Sequence, residues 1–236
     1  MSYIKLPLYP LFLLFTFSTL AQENSTKFEF SPKTAHPNAK ALMKEDFFWS
    51  PIDETGPFGS DAGSDAAYIF YKWRKDHTST SPIIYLKELT ARWNFPVIAW
   101  DETDTLKIKE YMSTPAQLSN DEIEQQVKML KQYNASSANA KQKSLSDEQI
   151  RQIVINSKKN MGASYLTDLD EAIIGTSFAQ FVLEGIIDPA LKHFAEKAIQ
   201  REMLPLLTRQ YPLDAQKAHR EKCLKLLSVL SKMKVS

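Results

Sequence analysis

The sequence predicts a mainly α protein, α+β at most: a helical bundle carrying a Gly/Asp-rich loop and one or two short edge strands. Three observations point there. Glycine is sparse, six in 236 residues, and Gly56, Gly59 and Gly63 fall in one short stretch. Elsewhere helix formers dominate and apolar residues recur at helical spacing. Two pairs, Ser119 with Glu122 and Ser146 with Gln149, fit the capping box, in which a hydroxyl and a side chain three residues on satisfy each other's free backbone donors.

Residues 1–21 have the layout of a secretory signal peptide. Lys5 precedes an apolar run from Leu11 to Leu20, and the small residues Thr19 and Ala21 suit cleavage after Ala21. The 16 residues from Leu6 to Ala21 include Pro7 and Pro10. They fall short of the roughly 20 apolar residues a spanning helix needs. The expected location is periplasmic or secreted, with no stable membrane anchor after cleavage.

Residues 22–35 read as a polar leader, with Phe28 and Phe30 forming a short edge strand. Residues 36–133 make an N-terminal helical region that contains the loop. Pro37 opens a helix through Ala39, Leu42 and Met43. Ser64 caps a helix from Asp65 to about Lys75, with Ala66, Ile69, Phe70 and Trp73 on one face. Ser81 and Pro82 start another. Phe95 to Trp100, short and apolar with Pro96 inside it, is the best strand candidate, at an edge.

Residues 134–144 are small and polar without an apolar period and read as a linker. Residues 145–236 form a C-terminal helical region. The stretch from Asp168 to Ile187 is apolar around so much of its circumference that it should be the central helix. Asp188 and Pro189 cap and open the next, which Pro205 bends or ends near Leu204. A final helix from Asp214 carries Cys223, Leu226, Leu227, Leu230 and Met233.

Charge and cysteine usage narrow the function classes. Of 29 basic and 28 acidic side chains, only Lys5 lies in residues 1–21, so the mature chain is formally neutral. Nucleic-acid binding needs a basic surplus gathered in a patch, and none is present. Cys223 is the single cysteine, which rules out an internal disulfide. It sits in an apolar helical pattern and reads as a small core residue, with no histidine evident beside it to lower its pKa. The four histidines (His36, His77, His193, His219) read as isolated, without the paired spacing of a zinc site.

Function is expected in the loop from Phe47 to Asp65, since loops carry contacts more often than cores do. The binding residues singled out are Trp49, Asp53, Glu54, Phe58, Asp61 and Asp65. The usual templates fail there. Aligning Asp61 and Asp65 with a calcium loop puts Ala66 at the glycine position and Lys72 at the bidentate glutamate position. The acidic group from Asp101 to Asp104 fails likewise, with Leu106 at the glycine position. No Lys-Ser/Thr pair follows Gly59, and no Gly-x-Ser-x-Gly occurs. Asp61 and Asp65 also suit a plainer role, favouring the positive end of the following helix.

The reading is therefore a non-enzymatic protein- or ligand-binding module of the cell envelope, with another protein as the expected partner. Phe48, Phe58, Trp73, Trp93 and Trp100 supply aromatic anchors for that partner. No catalytic residue, cofactor or metal ligand is assigned. The alternative is a metal-assisted hydrolase using Asp53, Asp61 and Asp65 as ligands.

The run from His36 to Asp65, HPNAKALMKEDFFWSPIDETGPFGSDAGSD, together with REMLPLLTRQY at 201–211, resembles the uncharacterised bacterial YfeS-like family. The similarity spans most of residues 30–234, and its specific part is the loop. The resemblance implies no activity, and the exported N-terminus departs from the family's pattern.

Overall fold

The computed structural model describes residues 28–116, 119–136, 145–209 and 211–236. Residues 1–21, read from sequence as a signal peptide, the first six residues of the 22–35 leader and most of the 134–144 linker lie outside these residues.

Helix starts follow local rules. α1 (Pro37–Leu42) carries its proline at the first position, and His36 Nδ1 accepts the Asn38 amide at 3.1 Å. α2 (Asp61–Asp76) is capped by Ser60, whose Oγ accepts the Gly63 amide at 3.1 Å. The expected cap, Ser64, lies inside the helix. The start moves back because Ser60 has the extended backbone of an N-cap, whereas Ser64 already bonds the Ser60 carbonyl at 2.9 Å.

α3 (Pro82–Trp93) starts at Ser81 as the sequence predicts. α4 (Thr105–Met112) was not foreseen. Its cap, Asp104, accepts the Leu106 amide at 2.8 Å, so the acidic group 101–104 is spent on a helix start. In α5 (Asn120–Ser136) the Ser119/Glu122 box is formed by bonds of 2.7 and 3.3 Å. In α6 (Asp147–Ser157) the Ser146/Gln149 box is formed by bonds of 2.8 and 3.2 Å.

α7 (Gly162–Glu184) is the central helix, buried on every side through its second half. It begins six residues before the expected Asp168. α8 (Pro189–Glu202) is capped by Asp188, and Pro205 opens the single turn α9 (Pro205–Thr208) instead of extending α8. α10 (Leu213–Lys232) closes the chain.

The fold is mainly α, as expected. Among the described residues there is no strand, only one parallel bridge between Ile187 and Val235. Both strand expectations are corrected. Phe28 stacks on Tyr71 at 3.9 Å and Phe30 on Phe58 at 4.5 Å, so the two rings act as packing pieces. From Phe95 to Trp100 two carbonyls find side chains in place of a neighbouring strand, and that of Ala99 takes the Glu102 amide at 3.0 Å. Tyr111 Oη donates to the Pro96 carbonyl at 2.9 Å and Arg201 Nη1 to that of Trp100 at 2.6 Å.

One core draws on Ala39, Phe48, Phe70, Leu86, Ile173, Phe178, Leu191, Ile199, Cys223 and Leu230, residues from both sides of the 134–144 segment. α1 to α4 and α8 pack around α7, and α10 lies on α8. α2 crosses α7 at two glycines: a Cβ on Gly175 would stand 2.3 Å from the Gly63 carbonyl oxygen. The absence of both side chains lets the backbones touch. α5 and α6 pack on each other over a small cluster of their own, Val127, Ile150 and Val154. Among the described residues no helix is long and apolar enough to cross a membrane.

Candidate metal centre

The 50–60 loop is held to α10 by two of its own residues. Asp53 accepts the Thr55 amide at 3.2 Å, and its other oxygen takes Lys222 Nζ at 2.6 Å. Thr55 Oγ1 then lies 3.2 Å from His219 Nδ1. The return of the chain requires glycine, since a Cβ on Gly59 would stand 1.9 Å from the Asp53 carbonyl oxygen. The loop is thus a fixed cover over one face of α10.

Beneath that cover three donors converge. His219 and Cys223 are four residues apart on α10 and share a face. Glu202, the last residue of α8, reaches the same point. His219 Nε2 lies 3.5 Å from Cys223 Sγ and 3.7 Å from Glu202 Oε2, and Cys223 Sγ is 3.8 Å from that oxygen. His219 Nε2 also faces the Glu202 carbonyl at 3.2 Å. Cys223 is fully buried, while the Glu202 and His219 side chains retain 13% and 23% of their exposure. These three side chains can hold a metal ion.

The surroundings are acidic. α7 contributes Asp168, Asp170 and Glu171. Burial pushes the Glu171 carboxyl up to about 8, helped by Asp168, Glu54 and Asp170, while a bond with Ser60 opposes the rise. Asp168 is pushed up to about 6 by burial and by Asp61. Burial, then Glu171 and Asp170, drives Glu202 well above the usual carboxylate range. The Cys223 thiol is pushed up by burial and by Glu202.

Of the cations acting on this region, Arg201 and Lys222 are paired with carboxylates outside the triad, while Arg220 acts on the Cys223 thiol and opposes its rise. Arg201 and Asp170 are both fully buried, and Arg201 Nε lies 3.1 Å from each Asp170 oxygen. Burial, opposed by Arg201, leaves Asp170 raised to about 6, still ionised at neutral pH. Lys222 serves Asp53. Burial pushes His219 below the usual imidazole range, so it stands there neutral. Titratable groups shifted together beside a converging donor set make this region the functional-site candidate.

No family model, curated protein or solved structure matches this chain.

The residues singled out from sequence distribute unevenly around this centre. Trp49 is an anchor, its Nε1 donating to the Met43 carbonyl at 3.0 Å. Phe58 is buried at 5% exposure and Phe48 at 2%, so neither is presented to a partner. Asp53 tethers the loop. Glu54 is exposed, and its charge reaches Glu171. Asp61 lies in the first turn of α2 beside Asp168, and exposed Asp65 acts on Tyr85.

The three carboxylates of the hydrolase alternative therefore have three different neighbours: Lys222, Asp168 and Tyr85. Sequence reasoning missed Glu202, His219, Cys223 and Glu171. Nor are all the histidines isolated. His36 caps α1, His77 stacks on Trp73 and His193 lies 3.9 Å from Asp101, but His219 stands one helical turn before Cys223. That spacing was the available signal.

Proposed function

We propose that this chain is an exported, non-enzymatic binding module of the cell envelope whose ligand is a divalent cation, taken up beneath the Gly/Asp-rich loop. One observation carries the reading. Glu202 is nearly buried between Cys223 and His219, with the charge of Glu171 acting on it, while Arg201 and Lys222 are engaged by other carboxylates. With no cation paired to it Glu202 holds its proton, and a bound ion would supply the positive charge that lets it ionise in place.

Thermal stability of the purified chain, stripped with chelator and titrated with Mg²⁺, Ca²⁺, Mn²⁺, Co²⁺ and Zn²⁺, tests the reading. An ion that binds the folded state alone raises the melting temperature by mass action, and chelator reverses the rise. No response to any of the five would end the cation reading. Export is tested separately, by fractionating cells that express the full chain and sequencing the N-terminus of the product. A mature protein starting at Gln22 outside the cytoplasm is the expected result; a full-length cytoplasmic product would refute export.

A further inference from the structure

We infer that the ion is a borderline transition metal of the zinc class, held by Cys223 Sγ as thiolate, His219 Nε2 and Glu202 Oε2, with water in the fourth position. The inference rests on the cation reading above and adds the chemistry of the ion. Its first support is geometric. Tetrahedral coordination with Zn–S of about 2.3 Å, Zn–N of about 2.0–2.1 Å and Zn–O of about 2.0–2.2 Å implies donor-to-donor edges of about 3.4–3.6 Å. The observed edges are 3.5 Å for N to S, 3.7 Å for N to O and 3.8 Å for S to O. A small contraction brings the triangle onto an ion.

The donor set supplies the second support. Calcium and magnesium are served by six or more oxygens or by an octahedral shell, and here only one of three donors is oxygen. Thiolate and imidazole select zinc, cobalt and their neighbours. Three protein ligands with one open place is the arrangement of an accessible zinc site, whereas closed structural sites use four.

The third support comes from the surrounding bonds. A histidine that ligates through Nε2 carries its proton on Nδ1 and donates it to a fixed acceptor. In this structure Nε2 donates to the Glu202 carbonyl at 3.2 Å. Once Nε2 turns to the ion, Nδ1 takes the proton and Thr55 Oγ1, 3.2 Å away, accepts its hydrogen bond, on a loop fixed by Asp53 with Lys222. The fold thus holds the imidazole ring in place, and binding moves its proton from Nε2 to Nδ1.

Coordination balances simply. The thiol S–H and the Glu202 carboxyl each lose a proton to solvent, and the neutral imidazole loses none. A divalent ion with one thiolate and one carboxylate is a neutral unit, which suits its buried position.

Cobalt substitution tests the inference, using CoCl₂ on the purified full chain. One equivalent of Co²⁺ should give the intense d–d absorption of a four-coordinate site and a sulfur-to-cobalt charge-transfer band, both removed by one equivalent of Zn²⁺. Cys223→Ser should lose the charge-transfer band and bind Zn²⁺ at least about 100-fold more weakly, while Thr55→Ala should weaken binding by about 10-fold to 100-fold. Far-ultraviolet circular dichroism checks that each variant folds, and the unsubstituted chain's spectrum decides even where one does not. Binding of Ca²⁺ or Mn²⁺ with no sulfur band would overturn the zinc-class inference and leave the cation reading standing. No binding of any ion would overturn both.

Discussion

Replacing Glu171 with glutamine should stabilise the metal-free protein, by an amount that grows with pH. Burial raises this carboxyl from 4.5 to about 8 in the folded chain. Between those two values the folded state binds one more proton than the unfolded state, so stability falls by about 1.36 kcal/mol for each pH unit gained. The penalty is absent below the unfolded pKa and complete above the folded one. From the same two values it comes to under about 1 kcal/mol at pH 5, about 3 kcal/mol at pH 7 and about 5 kcal/mol at pH 9. Glutamine keeps an oxygen for Ser60 and carries no proton to lose. Urea unfolding in chelator at these three pH values, for the wild type and Glu171→Gln, measures the difference directly. Equal pH slopes for the two proteins would refute the account of Glu171 as a buried, proton-holding carboxyl. So would a variant less stable than wild type at pH 9.

Other substitutions probe the frame around the centre. Gly175→Ala drives a methyl into the Gly63 backbone, 2.3 Å from its carbonyl oxygen, and should cost about 1–3 kcal/mol in chemical denaturation. Arg201→Met leaves Asp170 buried without a partner and should cost about 3–5 kcal/mol, while the double change Arg201→Met with Asp170→Leu should recover most of it. A double variant as unstable as the single would show that the ion pair has no such role. Tyr85→Phe removes the hydroxyl that donates to the Ala66 carbonyl at 2.6 Å, and should lower stability by about 1 kcal/mol without altering metal binding.

What the sequence disclosed depended on how local each feature is. The capping boxes at Ser119 and Ser146 were legible because both partners lie within four residues. α7 was legible because its apolar circumference is a property of the segment itself. The segment from Phe95 to Trp100 misled because a strand exists only beside another, and its carbonyls were instead taken by Tyr111 and Arg201. Ser60 and Ser64 are chemically equal caps; the choice between them lay in the turn of the loop and the approach of Gly63 to Gly175. The loop carboxylates drew attention as charges in sequence, yet Asp53 is a tether and Asp65 an exposed helix residue. Of the centre, the His219–Cys223 spacing could have been read once α10 was phased. Glu202 could not, because α8 delivers it by packing.

The ties between the loop and α10 join residues far apart in the chain: Asp53 and Lys222 are separated by 169 positions, Thr55 and His219 by 164. Contacts of such span carry the loop-closure entropy of most of the chain and exist only where the intervening helices hold both ends in place. A polypeptide truncated before α10 would have neither the anchor of the loop nor two of the three donors. The ability to take up an ion thus becomes a property of the finished molecule alone, and a partly folded or clipped chain would be metal-blind.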